Sequence, residues 1–176
     1  APPEKENCGP FVALAKALHG HGLCVPEVLA WSSSEGFMLL TDLGDTLLRS
    51  ELADDTVNTL YGAAMTALVQ MQSCPATPEY FLPCYDRERL LTEMRLLSEW
   101  FIPQFLGLQL SEEQAETLEQ QFALIAERVS QQPSVFVHRD YHSRNLMLTP
   151  QSELGIIDFQ DAVRGPITYD LASLLR

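Results

Sequence analysis

The stretch at residues 135–161, VFVHRDYHSRNLMLTPQSELGIIDFQD, leaves this chain few folds to choose from. An apolar run, Val135, Phe136 and Val137, ends in His138, Arg139 and Asp140. Asn145 follows five residues after Asp140, and a second apolar run ends in Ile157, Asp158 and Phe159. Both runs are β-branched or aromatic and bounded by turn residues, so they read as short buried strands. Residues 145–149 and 154–158 then fold back as a hairpin across Pro150, Gln151, Ser152 and Glu153. A turn centred between Gln151 and Ser152 sets Asn145 directly opposite Asp158, with Cβ atoms about 4.5–5.5 Å apart. An amide oxygen and a carboxylate at that distance can share a hard cation such as Mg²⁺. With Asp140 just before the hairpin as a proton acceptor, this is the minimum equipment for phosphoryl transfer.

Charge narrows the partners. The net charge is −13, but residues 138–176 hold 4 basic and 5 acidic side chains against 7 and 19 in residues 1–137. No basic stripe exists to neutralise the phosphates of a nucleic acid, so none is expected as partner. The near-neutral part carries the motif, which suits a local anionic ligand such as a nucleotide. No apolar run reaches the length of about 18 residues that a membrane helix needs, and no signal-peptide pattern is visible. Cys8, Cys24, Cys74 and Cys84 show neither metal-site nor redox spacing, so reduced thiols in a cytoplasmic protein are expected.

In chain order, residues 1–9 read as a polar connection. Phe11, Leu14, Ala15 and Leu18 recur at helical spacing, and His19, Gly20, His21 and Gly22 stop that helix. Two strands are expected at 26–31 and 36–40, around the polar turn Ser32 to Glu35. Asp54 or Asp55 is expected to cap a helix with the stripe Val57, Leu60, Tyr61, Ala64, Leu68 and Met71. Residues 73–83 form a loop. Asp86 caps the next helix, with Leu90, Met94, Leu97 and Phe101 inside, and Ser111 with Gln114 forms a capping box for another. A last helix starts near Tyr169 and Asp170, with Leu171, Leu174 and Leu175 as its apolar face.

Singly, Asp140, Asn145 and Asp158 have plain structural uses, as turn residue, cap and strand-end carboxylate. Together, H-R-D, four residues, Asn, then I-D-F thirteen residues after that Asn match the pattern of a kinase catalytic and metal loop. The sequence resembles the aminoglycoside phosphotransferase family over nearly its whole length. VFVHRDYHSRNLML resembles its catalytic loop, GIIDFQDAVRGPITYDLASLL its metal loop and following helix, and GFMLLTDLG its nucleotide hinge. IDFQDAVRGPITYDLASLL and the opening APPEKENCGPFVALAKALHGHGL are most similar to the anomeric N-acetylmuramate/N-acetylglucosamine kinases of bacterial cell-wall recycling.

The resemblance implies an α+β, protein-kinase-like fold, mainly the helical C-lobe with a catalytic β-hairpin and a partial N-lobe. Residues 1–42 would be the partial N-lobe and nucleotide hinge, and 43–176 the C-lobe. Asp140 would be the catalytic base, and Asn145 and Asp158 would hold Mg²⁺ on the phosphates of ATP. Asp161 would add an acidic contact. Backbone groups around Leu40, Thr41 and Leu43 would meet the adenine. Asp170 would hydrogen-bond the catalytic loop. The acceptor would be a sugar hydroxyl. The alternatives are an aminoglycoside, a choline- or homoserine-type alcohol, or a binding module without activity. Gln160 stands where protein kinases have a glycine, which this family accepts. A phosphate-covering loop and a strand lysine are expected upstream of Ala1. The lysine's acidic partner is expected early in the first helix, where Glu4 and Glu6 are the nearest carboxylates. For the sugar's N-acetyl group, Tyr85, Glu93 and Trp100 are the side chains of interest, with Trp100 expected in the core.

Overall fold

The computed structural model describes residues 7–75 and 81–176. Glu4 and Glu6 lie outside them. The first helix, α1 (Gly9–Gly20), buries Leu14, Ala15 and Leu18, the stripe its spacing predicts. It ends where the His-Gly repeat begins. Gly22 takes φ +83°, and the Gly22 and Leu23 amides return to the carbonyls of His19 and Leu18. Only a residue without Cβ takes that backbone conformation freely, so the glycine fixes the stop.

Strands β1 (Val28–Ser32) and β2 (Phe37–Leu40) pair antiparallel. The chain then passes a short 3₁₀ turn, Leu48–Glu51, into helix α2 (Val57–Gln72). Neither Asp54 nor Asp55 caps α2. Thr56 stands at the cap, and its hydroxyl accepts from the Ala53 amide and donates to the Glu51 carbonyl, tying the entry loop instead.

Asp86 caps helix α3 (Arg87–Leu96) by accepting from the Arg89 amide at 3.0 Å. The expected helix to Phe101 does not continue as such. From Leu97 to Phe105 the backbone widens to π-helical turns around Pro103, whose missing N–H breaks the regular ladder. The widening rotates the stripe outward: Leu97 and Phe101 are exposed, and so is Trp100 at 57 %, against the expected core position. Helix α4 (Glu112–Ser130) begins with the capping box at Ser111 and Gln114, both bonds formed, and packs on α3 through Phe122 and Ala126.

Strand β3 (Ser134–Val137) leads to the catalytic-loop motif, and β4 (Leu146–Leu148) with β5 (Leu154–Ile156) makes the hairpin. The register differs from the sequence-based one by a single residue: Leu146 faces Ile156, Met147 faces Gly155, and Leu148 faces Leu154. The loop holds three residues, Pro150, Gln151 and Ser152, because the Thr149 amide bonds the Glu153 carbonyl and Ser152 takes φ +63°. A tight turn closed by one left-handed residue is the usual build of a three-residue hairpin. Asn145 therefore stands opposite Ile157, whose amide donates to its carbonyl at 3.1 Å.

The sequence reading has no counterpart for β6 (Val163–Pro166), which pairs with β3 and precedes helix α5 (Tyr169–Leu174). A Cβ at Gly165 would lie 3.1 Å from the Tyr85 Cβ and 3.3 Å from a Val137 methyl. Gly165→Val is expected to cost about 1–3 kcal/mol by overpacking, read as a lowered midpoint in urea. An unchanged midpoint would show that β3 and β6 yield there.

A main cluster joins α1 and α2 to the hairpin through Leu18, Leu68, Phe136, Leu146, Ile156 and Phe159, among others. A second cluster, with Tyr85, Leu91, Phe122 and Val137, lies under α3 and α4. The loop after β3 leaves the seam between them, so its backbone is held from both sides.

Candidate active site

The catalytic-loop segment is fixed from beneath by Asp170. This wholly buried carboxylate accepts the His138 amide at 2.7 Å and the Arg139 amide at 3.0 Å, one on each oxygen. Burial pushes its carboxyl up to about 6, even though the two amides oppose the rise. The contact is the one the resemblance implied for Asp170.

His138 is buried too, and burial lowers its pKa, so the ring is neutral near pH 7. Its Nε2 lies 2.9 Å from the Ile157 carbonyl, an acceptor only, so Nε2 carries the proton. One imidazole thereby bridges the loop before Asp140 to the strand end before Asp158.

Arg139 takes φ +79° and Asp158 φ +66°, both in the left-handed region that costs a side-chain-bearing residue about 1–2 kcal/mol. At Asp158 this turn achieves what the hairpin register alone does not. One residue beyond the pairing, it swings the carboxylate back to Asn145, whose Nδ2 donates to Asp158 Oδ2 at 3.3 Å. The same Nδ2 donates to the Asp140 carbonyl at 3.0 Å. Gln160, in the glycine position of protein kinases, donates to Asp158 Oδ1 at 2.8 Å. Asp140, Asn145 and Asp158 are thus brought together as the motif predicts, by a different register than the one expected.

Among the described residues no group of three or more His, Cys, Asp and Glu forms a metal site by itself. Asn145 and Asp158 present two oxygen-bearing side chains at one point, which fits a hard cation sharing its remaining ligands with phosphate and water.

Leu40 closes β2 opposite Val28. The Thr41 amide donates to the Glu27 carbonyl at 3.0 Å and its hydroxyl accepts from the Glu27 amide. The Leu43 side chain packs against Gly155. These three residues therefore run from the first hairpin to the second. Asp161 stays exposed.

Asp140 opens on a cleft of about 940 Å³ lined by Arg49, Tyr61, His142, Arg144 and Tyr169 among others. Neither Asn145 nor Asp158 lines it. Asp140 therefore stands at the boundary between the paired oxygens and the cleft. Tyr85, Glu93 and Trp100 do not line it either. Tyr85 is buried and gives its hydroxyl to Glu93, and burial with that bond drives its pKa far upward. Glu93 in turn accepts from the Arg139 guanidinium at 3.0 Å. Burial works against the Arg139 charge, and Glu93 together with Tyr169, Tyr85 and Asp161 more than offsets it. Tyr85 and Glu93 position Arg139. The sequence shows no pattern for this, since 46 residues separate Glu93 from Arg139.

The chain belongs to the phosphotransferase enzyme family, whose model matches residues 1–176. Within that family it is similar to the N-acetylmuramate/N-acetylglucosamine kinase of Pseudomonas aeruginosa, 39 % identical over 176 residues, which is all of this chain and 51 % of the relative. The kinase of the same name from Neisseria meningitidis is 39 % identical over 180 residues, covering 52 % of its length. The chain thus spans about half the length of these relatives. Among solved structures, the gentamicin–APH(2")-IIa complex superposes with a TM-score of 0.67 over 96 % of this chain and 58 % of the other, at 20 % identity. Aminoglycoside phosphotransferase APH(2'')-Ib bound to ADP gives 0.64 over 92 % and 57 %. The fold is α+β and protein-kinase-like.

Proposed function

We propose that this chain is part of a kinase that moves the γ-phosphoryl group of ATP to a sugar hydroxyl, the anomeric one of N-acetylmuramate or N-acetylglucosamine. The observation that carries the reading is Asp140 between the Asn145–Asp158 pair and a cleft of about 940 Å³. Its support from relatives is the shared name of several 39 % identical kinases. ATP and Mg²⁺ would lie on the hairpin side and the sugar in the cleft. Residues 1–42 would form the nucleotide-side lobe, with the backbone at Leu40, Thr41 and Leu43 beside the adenine.

Asn145 and Asp158 would hold Mg²⁺, which when bound neutralises charge on the phosphates. Asp140 orients the acceptor hydroxyl and takes its proton as the new O–P bond forms and the bond to the nucleoside diphosphate breaks. Asp170 and His138 keep the loop in place. The cytoplasm is the compartment proposed, since ATP is there and all four cysteines are free thiols. Among the described residues no helix is long and apolar enough to cross a membrane.

Asp158→Ala is expected to weaken Mg²⁺–ATP binding about tenfold or more, as befits loss of a charged contact, and Asn145→Ala less. Titrating Mg²⁺–ATP against thermal stability measures both, because a ligand of the folded state raises the midpoint. If neither variant changes the titration, these side chains are not the metal ligands. The function itself is tested by ADP release from the full-length protein with each sugar and with an aminoglycoside. Turnover with the sugars supports the reading, and turnover with the aminoglycoside alone overturns it.

A further inference from the structure

Most of the protein's arginines hold a partner. Arg87 pairs with Glu88 and Glu127, Arg95 with Glu119, and Arg139 with Glu93. Arg164 donates to the Ser134 carbonyl, and Arg89 lies over the Tyr85 ring. Among the described residues, the Arg49 and Arg144 side chains have neither ion pair nor hydrogen bond, which is also true of the exposed Arg128, but Arg49 and Arg144 line the cleft that Asp140 enters. The chain has 24 carboxylates, so acids are not scarce. Among the described residues, Asp140 is the one acidic side chain in the cleft lining, whereas Arg49, Arg139, Arg144 and Arg176 all contribute to it.

Two further observations point to a ligand. The Nδ1 of His142 and the Nε of Arg139, both on cleft-lining residues, are buried without a hydrogen-bond partner. Buried polar atoms are nearly always paired, and a polar ligand would pair these. The two arginines are also anchored where a ligand would need them. Arg144 lies in the loop four residues after Asp140, and the Arg49 amide donates to the Ser143 carbonyl at 3.0 Å.

We infer that Arg49 and Arg144 form a carboxylate-binding subsite beside Asp140, so that the protein selects a sugar acid over its neutral counterpart. The inference rests on the cleft being the acceptor site. The guanidinium fork matches a carboxylate in two parallel hydrogen bonds, stronger than neutral ones. The same field repels a polycationic acceptor. N-Acetylmuramate carries a carboxylate on its lactyl ether and N-acetylglucosamine lacks that group, so the pair isolates the contribution. A phosphate of the nucleotide is the other anion with this chemistry, but Asn145 and Asp158 lie outside the cleft lining.

The test is steady-state kinetics of the full-length protein and of Arg49→Gln, Arg144→Gln, the double variant and Arg144→Lys. Arg128→Gln, an exposed arginine outside the cleft, is the control. In the double variant the kcat/KM ratio of N-acetylmuramate to N-acetylglucosamine falls about tenfold or more through the acid's KM, while the KM for ATP holds. Arg144→Lys falls less, and the control keeps the ratio. An unchanged ratio, an equal loss with both sugars, or a raised KM for ATP overturns the subsite. If neither sugar is phosphorylated, the proposed function fails, and calorimetry with N-acetylmuramate then decides the subsite alone. Binding that the double variant loses supports it, and absence of binding to the unmodified protein overturns it.

Discussion

Asp140→Asn is expected to lower kcat by about 10²–10⁴-fold while leaving the affinity for Mg²⁺–ATP nearly unchanged. The separation follows from where Asp140 makes its contacts. Asn145 is held by the Asp140 main-chain carbonyl, which the substitution keeps, and only the exposed carboxylate that faces the cleft is altered. The variant therefore loses the proton acceptor without disturbing the paired oxygens. An anomeric hydroxyl is more acidic than an ordinary alcohol, so the loss should fall toward the lower end of the range with the sugars. Stopped-flow or quench measurement of kcat, beside a thermal titration with the nucleotide, checks both halves. Retained turnover would remove Asp140 as the base, and a parallel loss of nucleotide binding would mean that the loop had moved.

The second large effect is expected at Asp170. Asp170→Ala leaves the His138 and Arg139 amides buried with no acceptor, at about 1–3 kcal/mol for each, so the midpoint of unfolding should fall steeply. A pH series separates this clamp from simple packing. Burial raises the Asp170 carboxyl to about 6 from an ordinary value of 3.8. The folded protein therefore binds more protons than the unfolded chain between roughly pH 4 and pH 6. Stability from this one group falls as pH rises through that window and is flat above it, by roughly 3 kcal/mol in all. Activity should run the other way, because a protonated Asp170 no longer offers both oxygens to the loop amides. Asp170→Asn has no proton to lose, so its stability relative to the unmodified protein should improve across pH 4–6. Parallel curves for the two would show that Asp170 does not titrate there.

Much of this arrangement was legible in the sequence, for reasons that differ between elements. The stripes of α1 and α2 follow a 3.6-residue period, and the caps at Asp86 and Ser111 are local hydrogen bonds needing only a few neighbouring residues. The grouping of Asp140, Asn145 and Asp158 was legible because all three belong to one short loop and hairpin. Its geometry was not. The register depends on Ser152 closing a three-residue loop, and the approach of Asp158 to Asn145 depends on a left-handed backbone that composition does not announce.

Long-range features were the least visible. Strand β6 is four residues ending in Gly165 and Pro166, a pair that reads as a turn, yet it is held against β3 by pairing across about 30 residues of chain. The Tyr85–Glu93–Arg139 chain and the position of Arg49 beside Ser143 likewise join segments with no common motif. Trp100 misled for a local reason: it lies in the π-helical turns around Pro103, where the backbone departs from the regular helix the sequence suggests, and it is exposed.

Phosphorus NMR of the product made from N-acetylmuramate, Mg²⁺ and ATP by the full-length protein decides whether the anomeric hydroxyl is the acceptor. A sugar 1-phosphate, its phosphorus coupled to the anomeric proton, is expected to form in step with ADP. Phosphate on any other position, or ADP accompanied only by free phosphate, would contradict it.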